Sequence, residues 1–277
     1  MTEQRKKILE NVAYLKKLLP SYFRAKTAMI VEENYRLPNS IKIINKINLK
    51  EINPEKEIKD SLYLLCAKTK NTNLIILKGR MHYYDGASMR SIANIIYSLR
   101  FLGIEKIISV DEVGNLNPRF KCGELALIYD HINLMGDNPL IGENDNVLGI
   151  RFPDMSNAYD EVLFAKTRKV FAENKIKINE SVYLGIIGPE SETEAEARFY
   201  REIGSDVLGY SLVPENITAV HAKIKFMAIG LITRELIADK MKADTASEKE
   251  KEKENVKYHK KAETELNKIL TKIIKTI

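Results

Sequence analysis

Long apolar runs are missing from this 277-residue chain. No stretch approaches the ~20 consecutive apolar residues that a membrane-spanning helix needs. The N-terminus, MTEQRKKILENV, is charged where a secretory signal would be apolar, so the expected location is cytoplasmic. Cysteine is scarce as well. Cys66 and Cys122 are the only two, and neither has a second Cys or a His at metal-ligand spacing, which points to buried reduced thiols. A basic stripe interleaved with aromatics, the footprint of a nucleic-acid binder, is also absent. The formal charge of +6 comes from 44 basic and 38 acidic residues mixed along the chain, as on a solvated surface. There is no internal repeat.

What is present is enough apolar material, 44% of residues, for one large α/β domain over residues 1–277. Ile8, Val12, Leu15 and Leu18 or Leu19 recur at helical spacing up to Pro20 and predict an amphipathic helix over Thr2–Leu19. Short runs rich in β-branched residues predict buried strands at Ala28–Val31, Leu62–Cys66, Leu74–Leu77, Ile107–Val110, Leu125–Ile128, Val182–Ile187, Val207–Leu212 and Phe226–Ile232. Helical patterns lie between them at Ser88–Leu102, Asn157–Asn174 and Glu192–Ile203. The alternation predicts an α/β fold with a central mixed, mostly parallel β-sheet flanked by helices on both faces. Ligands of such sheets sit beyond the carboxyl ends of the strands. Lys240–Lys261 stands apart as a charged, low-complexity segment, a solvated helix or a mobile loop. Leu266, Ile269, Leu270 and Ile273 after it suggest a C-terminal helix returning to the body.

The chemistry-bearing motifs follow the predicted strands. KGRMHYYDG (Lys78–Gly86) alternates Arg80, His82 and Tyr84, which an extended backbone would throw to one side. Arg and His make a compact anion site, and the phenol can face a sugar hydroxyl. GNLNP (Gly114–Pro118) is followed by DHINL (Asp130–Leu134), NPL (Asn138–Leu140) and GIRFPDMSNAYD (Gly149–Asp160). His131 alone reads as a hydrogen-bonded core histidine. GPESETEAEAR (Gly188–Arg198) puts Glu192 at a helix start, where a carboxylate can accept from ring N–H groups. GYSLVPE (Gly209–Glu215) offers the Ser211 hydroxyl beside Tyr210, a side chain able to cover a ribose face.

In this order and spacing the motifs resemble the trimeric purine nucleoside phosphorylases, a family that also includes methylthioadenosine phosphorylase. The match runs from about Leu74 to Thr233. The resemblance implies cleavage of a purine nucleoside by inorganic phosphate to free base and ribose 1-phosphate, through a ribosyl-cation-like transition state. Catalysis would be positioning and electrostatics, with no metal or organic cofactor. By position, Arg80, His82 and Ser211 match phosphate ligands, with Glu33 and Glu112 standing in the phosphate loops. Tyr84 and Tyr210 match ribose contacts, and Glu192 matches the carboxylate that reads the purine. Thr233 and Arg234 fall in the purine loop, where Arg234 takes the place of an Asn that donates to N7. Phe152 matches an aromatic that reaches the neighbouring subunit's site, hence an expected homotrimer. Asn255 aligns with a family His better than His259 does. The catalytic set so implied is Arg234, Glu192 and His82.

The departures gather on the phosphate. Where the family has a Gly- and Ser-rich loop, this chain reads VEENYRLP, with Glu32 and Glu33. A backbone nest for an anion needs glycine's dihedral freedom and no competing charge. The family's neutral Asn-Ala-Ala before GNLNP has become Asp111, Glu112 and Val113. At an effective dielectric of ~20, each close like-charged pair costs on the order of a few kcal/mol. No counterpart of the family's histidine between the first strands is found in NLKEINPEKEIK at residues 48–59. Three functions are therefore carried forward: a phosphorylase, a phosphate-independent nucleoside hydrolase using Glu32 or Glu33 as base, and a non-catalytic purine-binding paralogue.

Overall fold

The computed structural model describes residues 1–51, 61–243 and 246–277. Most of the NLKEINPEKEIK segment lies outside the described residues. In chain order the elements are α1 (Glu3–Leu18), β1 (Thr27–Val31), β2 (Lys42–Asn48), β3 (Tyr63–Lys68), β4 (Asn73–Lys78), α2 (Met89–Phe101), β5 (Lys106–Asn115) and β6 (Leu125–Asn133). Then come α3 (Glu161–Glu173), β7 (Asn179–Gly185), α4 (Glu194–Glu202), β8 (Val207–Gly209), α5 (Leu212–His221), β9 (Lys225–Glu235), α6 (Ala238–Ala243) and α7 (Glu248–Thr276).

The strands form a mixed sheet in the order β2-β3-β4-β1-β5-β8-β7-β6-β9, and β9 also pairs with β5. Five strands, β5 through β9, thereby close into a ring, a closure that periodicity alone did not reveal. β4, β1, β5 and β9 run parallel to one another. Their carboxyl ends, and the loops that leave them, therefore open on one side.

The two sheet faces are apolar for different partners. One face packs under α1, α2 and α5, with Ile8, Val12, Ile92 and Ile96 in the core. The other packs under α3 and α7, with Phe171, Leu266, Ile269 and Ile273. The charged segment supplies the end of α6 and the first half of α7, a helix of 29 residues opened by Ser247, whose N–H donates to Glu250 at 2.8 Å. Its buried stripe begins only at His259. Packing of its C-terminal half holds the helix, since charge-rich sequence alone gives marginal helicity.

Three of the departures from the predicted elements have a local physical reason. Lys42–Asn48 is a strand, mostly exposed or half-buried, so its sequence KIINKIN lacks the continuous apolar signal of a central strand. The predicted strand Val207–Leu212 stops at Gly209, and α5 begins at Leu212. Pro214 falls in the first turn of that helix, where its missing N–H breaks no bond. Helix α4 is capped by Thr193 in a capping box with Glu196, so Glu192 lies just before the cap.

Candidate functional site

The site grows from the parallel strand ends. Gly79 ends β4 at φ +93°, a left-handed conformation that suits glycine, and a Cβ there would press on the Ser61 carbonyl. The turn drives Arg80 inward until its side chain is 1% exposed. Its Nε donates to Glu215 Oε1 at 2.9 Å and one terminal nitrogen to Ser109 Oγ at 2.5 Å. The other terminal nitrogen is shared by Glu32 Oε1 at 2.8 Å, the Val110 carbonyl at 2.8 Å and Asp111 Oδ1 at 3.2 Å. Three carboxylates thus surround one guanidinium, holding its pKa well above the ordinary arginine value despite the opposing effect of burial.

The acids divide the charge unequally. Burial pushes Glu32 up, but Arg80 and His82 outweigh it and hold the carboxyl at about 2. Asp111 goes the other way: burial, against the pull of Arg80 and with the repulsion of Glu32, raises it to about 6. Its second oxygen accepts from the Tyr183 hydroxyl at 2.8 Å. Gly209 is needed here, because a Cβ at that position would overlap the Tyr183 hydroxyl.

His82 Nε2 is 3.4 Å from Glu32 Oε2, and its Nδ1 is within hydrogen-bond distance, 3.0 Å, of Ser211 Oγ. The backbone after His82 folds into a short 3-10 turn rather than staying extended. The His82 and Tyr84 rings nonetheless stack at 4.6 Å, and Tyr84 meets Tyr210 edge-on at 5.9 Å. Glu33 is exposed on the loop after β1. Glu112 accepts from Asn34 at 3.1 Å and lies 3.1 Å from His259 Nδ1.

These groups line one cavity of about 640 Å³ whose walls join Glu32, Glu33, Asp111, Glu112, His82 and Ser211 to Tyr84, Tyr210, Thr233, Arg234 and Asn255. Asn255 faces this space, whereas His259, one turn on, pairs with Glu112 and Glu263. Arg80 lies behind the wall. Glu192, 1% exposed in its side chain, has its carboxylate engaged by the Tyr210 hydroxyl at 2.7 Å and by Arg234 at 3.5 Å. Arg234 also lies over the Tyr210 ring at 5.2 Å. Phe152 is elsewhere, 84% exposed beside a separate depression with His131 and Arg151. His131 meets Tyr159 at 3.2 Å, and burial lowers its pKa. Cys66 is buried and Cys122 half-buried, both unpaired, and burial pushes them up to about 11 and about 12.

A family model described as the phosphorylase superfamily matches residues 34–275. The chain belongs to that family. Among its relatives in the superfamily, purine nucleoside phosphorylase 1 of Bacillus subtilis (strain 168) is 41% identical over 170 residues, 61% of this chain and 63% of the relative. The purine nucleoside phosphorylase of Mus musculus is 37% identical over 170 residues, 60% of this chain and 59% of the relative. The sequence match therefore spans less than two thirds of each of these relatives. Solved structures of the superfamily align further. A Schistosoma purine nucleoside phosphorylase in complex with hypoxanthine superposes with a TM-score of 0.87 at 27% identity, covering 98% of this chain and 97% of that one. The Schistosoma enzyme with guanosine gives 0.83 at 25% identity over 96% of both chains.

Sequence reasoning missed Ser109, Tyr183 and Glu215, which complete the Arg80 cluster. Ser109 and Tyr183 each sit in a strand between two apolar neighbours, and Glu215 sits beside Asn216 in the first turn of α5. A buried polar residue without a local partner is the one signal that marks such positions.

Proposed function

We propose that the chain is a purine nucleoside phosphorylase, transferring the ribosyl group of a purine nucleoside to inorganic phosphate to give the free base and ribose 1-phosphate. The observation that carries this reading is the single cavity that joins His82 and Ser211 to Tyr84, Tyr210, Thr233, Arg234 and Asn255. Family membership and the names of the relatives support it. In this reading Tyr84 and Tyr210 cover the ribose, Arg234 donates to the purine, and Glu192 holds the base from behind the wall. His82 and Ser211 meet the phosphate. No metal or organic cofactor takes part. The solvent-exposed Phe152, with Ile141 and Ile150 also exposed, supports a homotrimer in which Phe152 reaches a neighbouring site. A cytoplasmic place in purine salvage completes the reading; no helix among the described residues is long and apolar enough to cross a membrane.

The Glu32–Arg80 pair at 2.8 Å favours a second reading. With its anion donor already neutralised, the site would bind a purine compound without turnover, or use water in place of phosphate with Glu32 or Glu33 as base. The deciding assay incubates the protein with inosine and guanosine, with and without phosphate, and identifies the sugar product. Ribose 1-phosphate formed only with phosphate is expected. Free ribose without phosphate would establish the water reading, and no base release at saturating phosphate would remove both enzyme readings.

A further inference from the structure

We propose that Glu32 is the specificity-determining residue of the oxyanion half of this site, a built-in anion seated on the donors that an incoming phosphate needs. The inference rests on the reading that phosphate enters beside His82 and Ser211. A guanidinium carries five N–H groups. In Arg80 one is spent on Glu215 and one on Ser109, and the two on the third nitrogen are divided among Glu32, the Val110 carbonyl and Asp111. One N–H at most is left for a ligand.

Of the three acids around Arg80, only Glu32 also reaches His82. Its two oxygens bridge Arg80 at 2.8 Å and His82 at 3.4 Å, as two oxygens of a phosphate would. Glu215 and Asp111 are held by other partners, Ser109 and Tyr183. Glu32 has no third side-chain partner among the described residues, and it lines the cavity. Its carboxyl is held at about 2, so mild acid does not discharge it. Phosphate gains these donors only by displacing the side chain, against the repulsion of like charges.

The test titrates inorganic phosphate by calorimetry into the full chain and into Glu32→Gln and Glu32→Ala, with a parallel titration of inosine. Both variants are expected to bind phosphate on the order of tenfold more tightly, the scale of one charge-assisted hydrogen bond. Inosine affinity should stay within about threefold, because Glu32 pairs with Arg80 and His82 and takes no part in the Glu192, Tyr210 and Arg234 contacts. Glu32→Gln keeps an oxygen that can accept from Arg80, and it is the variant to rely on if the alanine form unfolds. Unchanged or weaker phosphate binding in a folded Glu32→Gln protein overturns the inference. Tighter phosphate binding in proteins that all ignore inosine upholds Glu32 as the competitor and instead removes the nucleoside reading.

Discussion

Tyr210 donates its hydroxyl to Glu192 Oε1 at 2.7 Å while Arg234 stands 3.5 Å from the other oxygen. The carboxylate that the motif resemblance assigns to the purine is thus occupied from within. Burial, opposed by Arg234 and reinforced by Glu192, raises the tyrosine to about 12, so it remains a donor at all ordinary pH.

Breaking that contact should favour the ligand. Tyr210→Phe leaves Glu192 Oε1 free to accept from a ring N–H, so inosine and guanosine should bind several-fold more tightly, about 1 kcal/mol. A calorimetric Kd that is unchanged or weaker would show that Glu192 does not read the base.

Arg80 should matter more for stability than for any ligand. Replacing it by methionine leaves Glu32, Asp111 and Glu215 facing one another without their common cation. Removing one partner from a buried charge cluster costs about 3–5 kcal/mol. Urea denaturation at neutral pH is the check, and a loss under about 1 kcal/mol would mean that the acids neutralise by taking up protons.

Asp111 carries a pH-dependent cost. Its folded value of about 6 lies above the unfolded 3.8, so the folded chain holds the proton more firmly. Stability associated with this group is undiminished below about 4, falls as pH rises toward 6, and stays lowered above it. Asp111→Asn should therefore gain about 1–3 kcal/mol over the parent protein at pH 8 and little at pH 4. Equal urea midpoint shifts at both pH values would contradict this.

The attachment of α7 should respond in the opposite direction. The contact with Glu112, against burial and with help from Glu263, raises His259 above 6.5. A raised histidine stabilises fully below its unfolded value and loses that contribution as pH rises through the folded value. Hydrogen exchange in residues 255–263 should speed up above that value in the parent protein, and His259→Gln should abolish the dependence. A flat profile in the parent would remove the role of the ion pair.

The degree to which sequence exposed this architecture varied with how local each signal was. Runs such as Leu74–Leu77 and Phe226–Ile232 are apolar because strands β4 and β9 are covered on both faces. Lys42–Asn48 went unseen because its strand borders only β3 in the sheet and much of it stays in contact with solvent. Leu212–His221 was obscured by Pro214, which reads as a breaker unless the helix is known to start just before it. Asn255 could be aligned only by a weak register through lysines and glutamates. The packing of Leu266, Ile269 and Ile273 against the sheet fixes the rotation of α7 and turns Asn255 to the cavity.

By itself the sequence determined the alternation of strands and helices, the motif order and the substitution of acids where a phosphate loop was expected, because each is written in contiguous residues. Only the tertiary structure decided what those acids do. Glu32, Asp111 and Glu215 are separated by up to 183 positions and meet because parallel strand ends and the start of α5 converge on Arg80. Charge in a sequence has a sign but no distance, and in a low-dielectric interior distance decides whether an acid repels a ligand or has already taken its place.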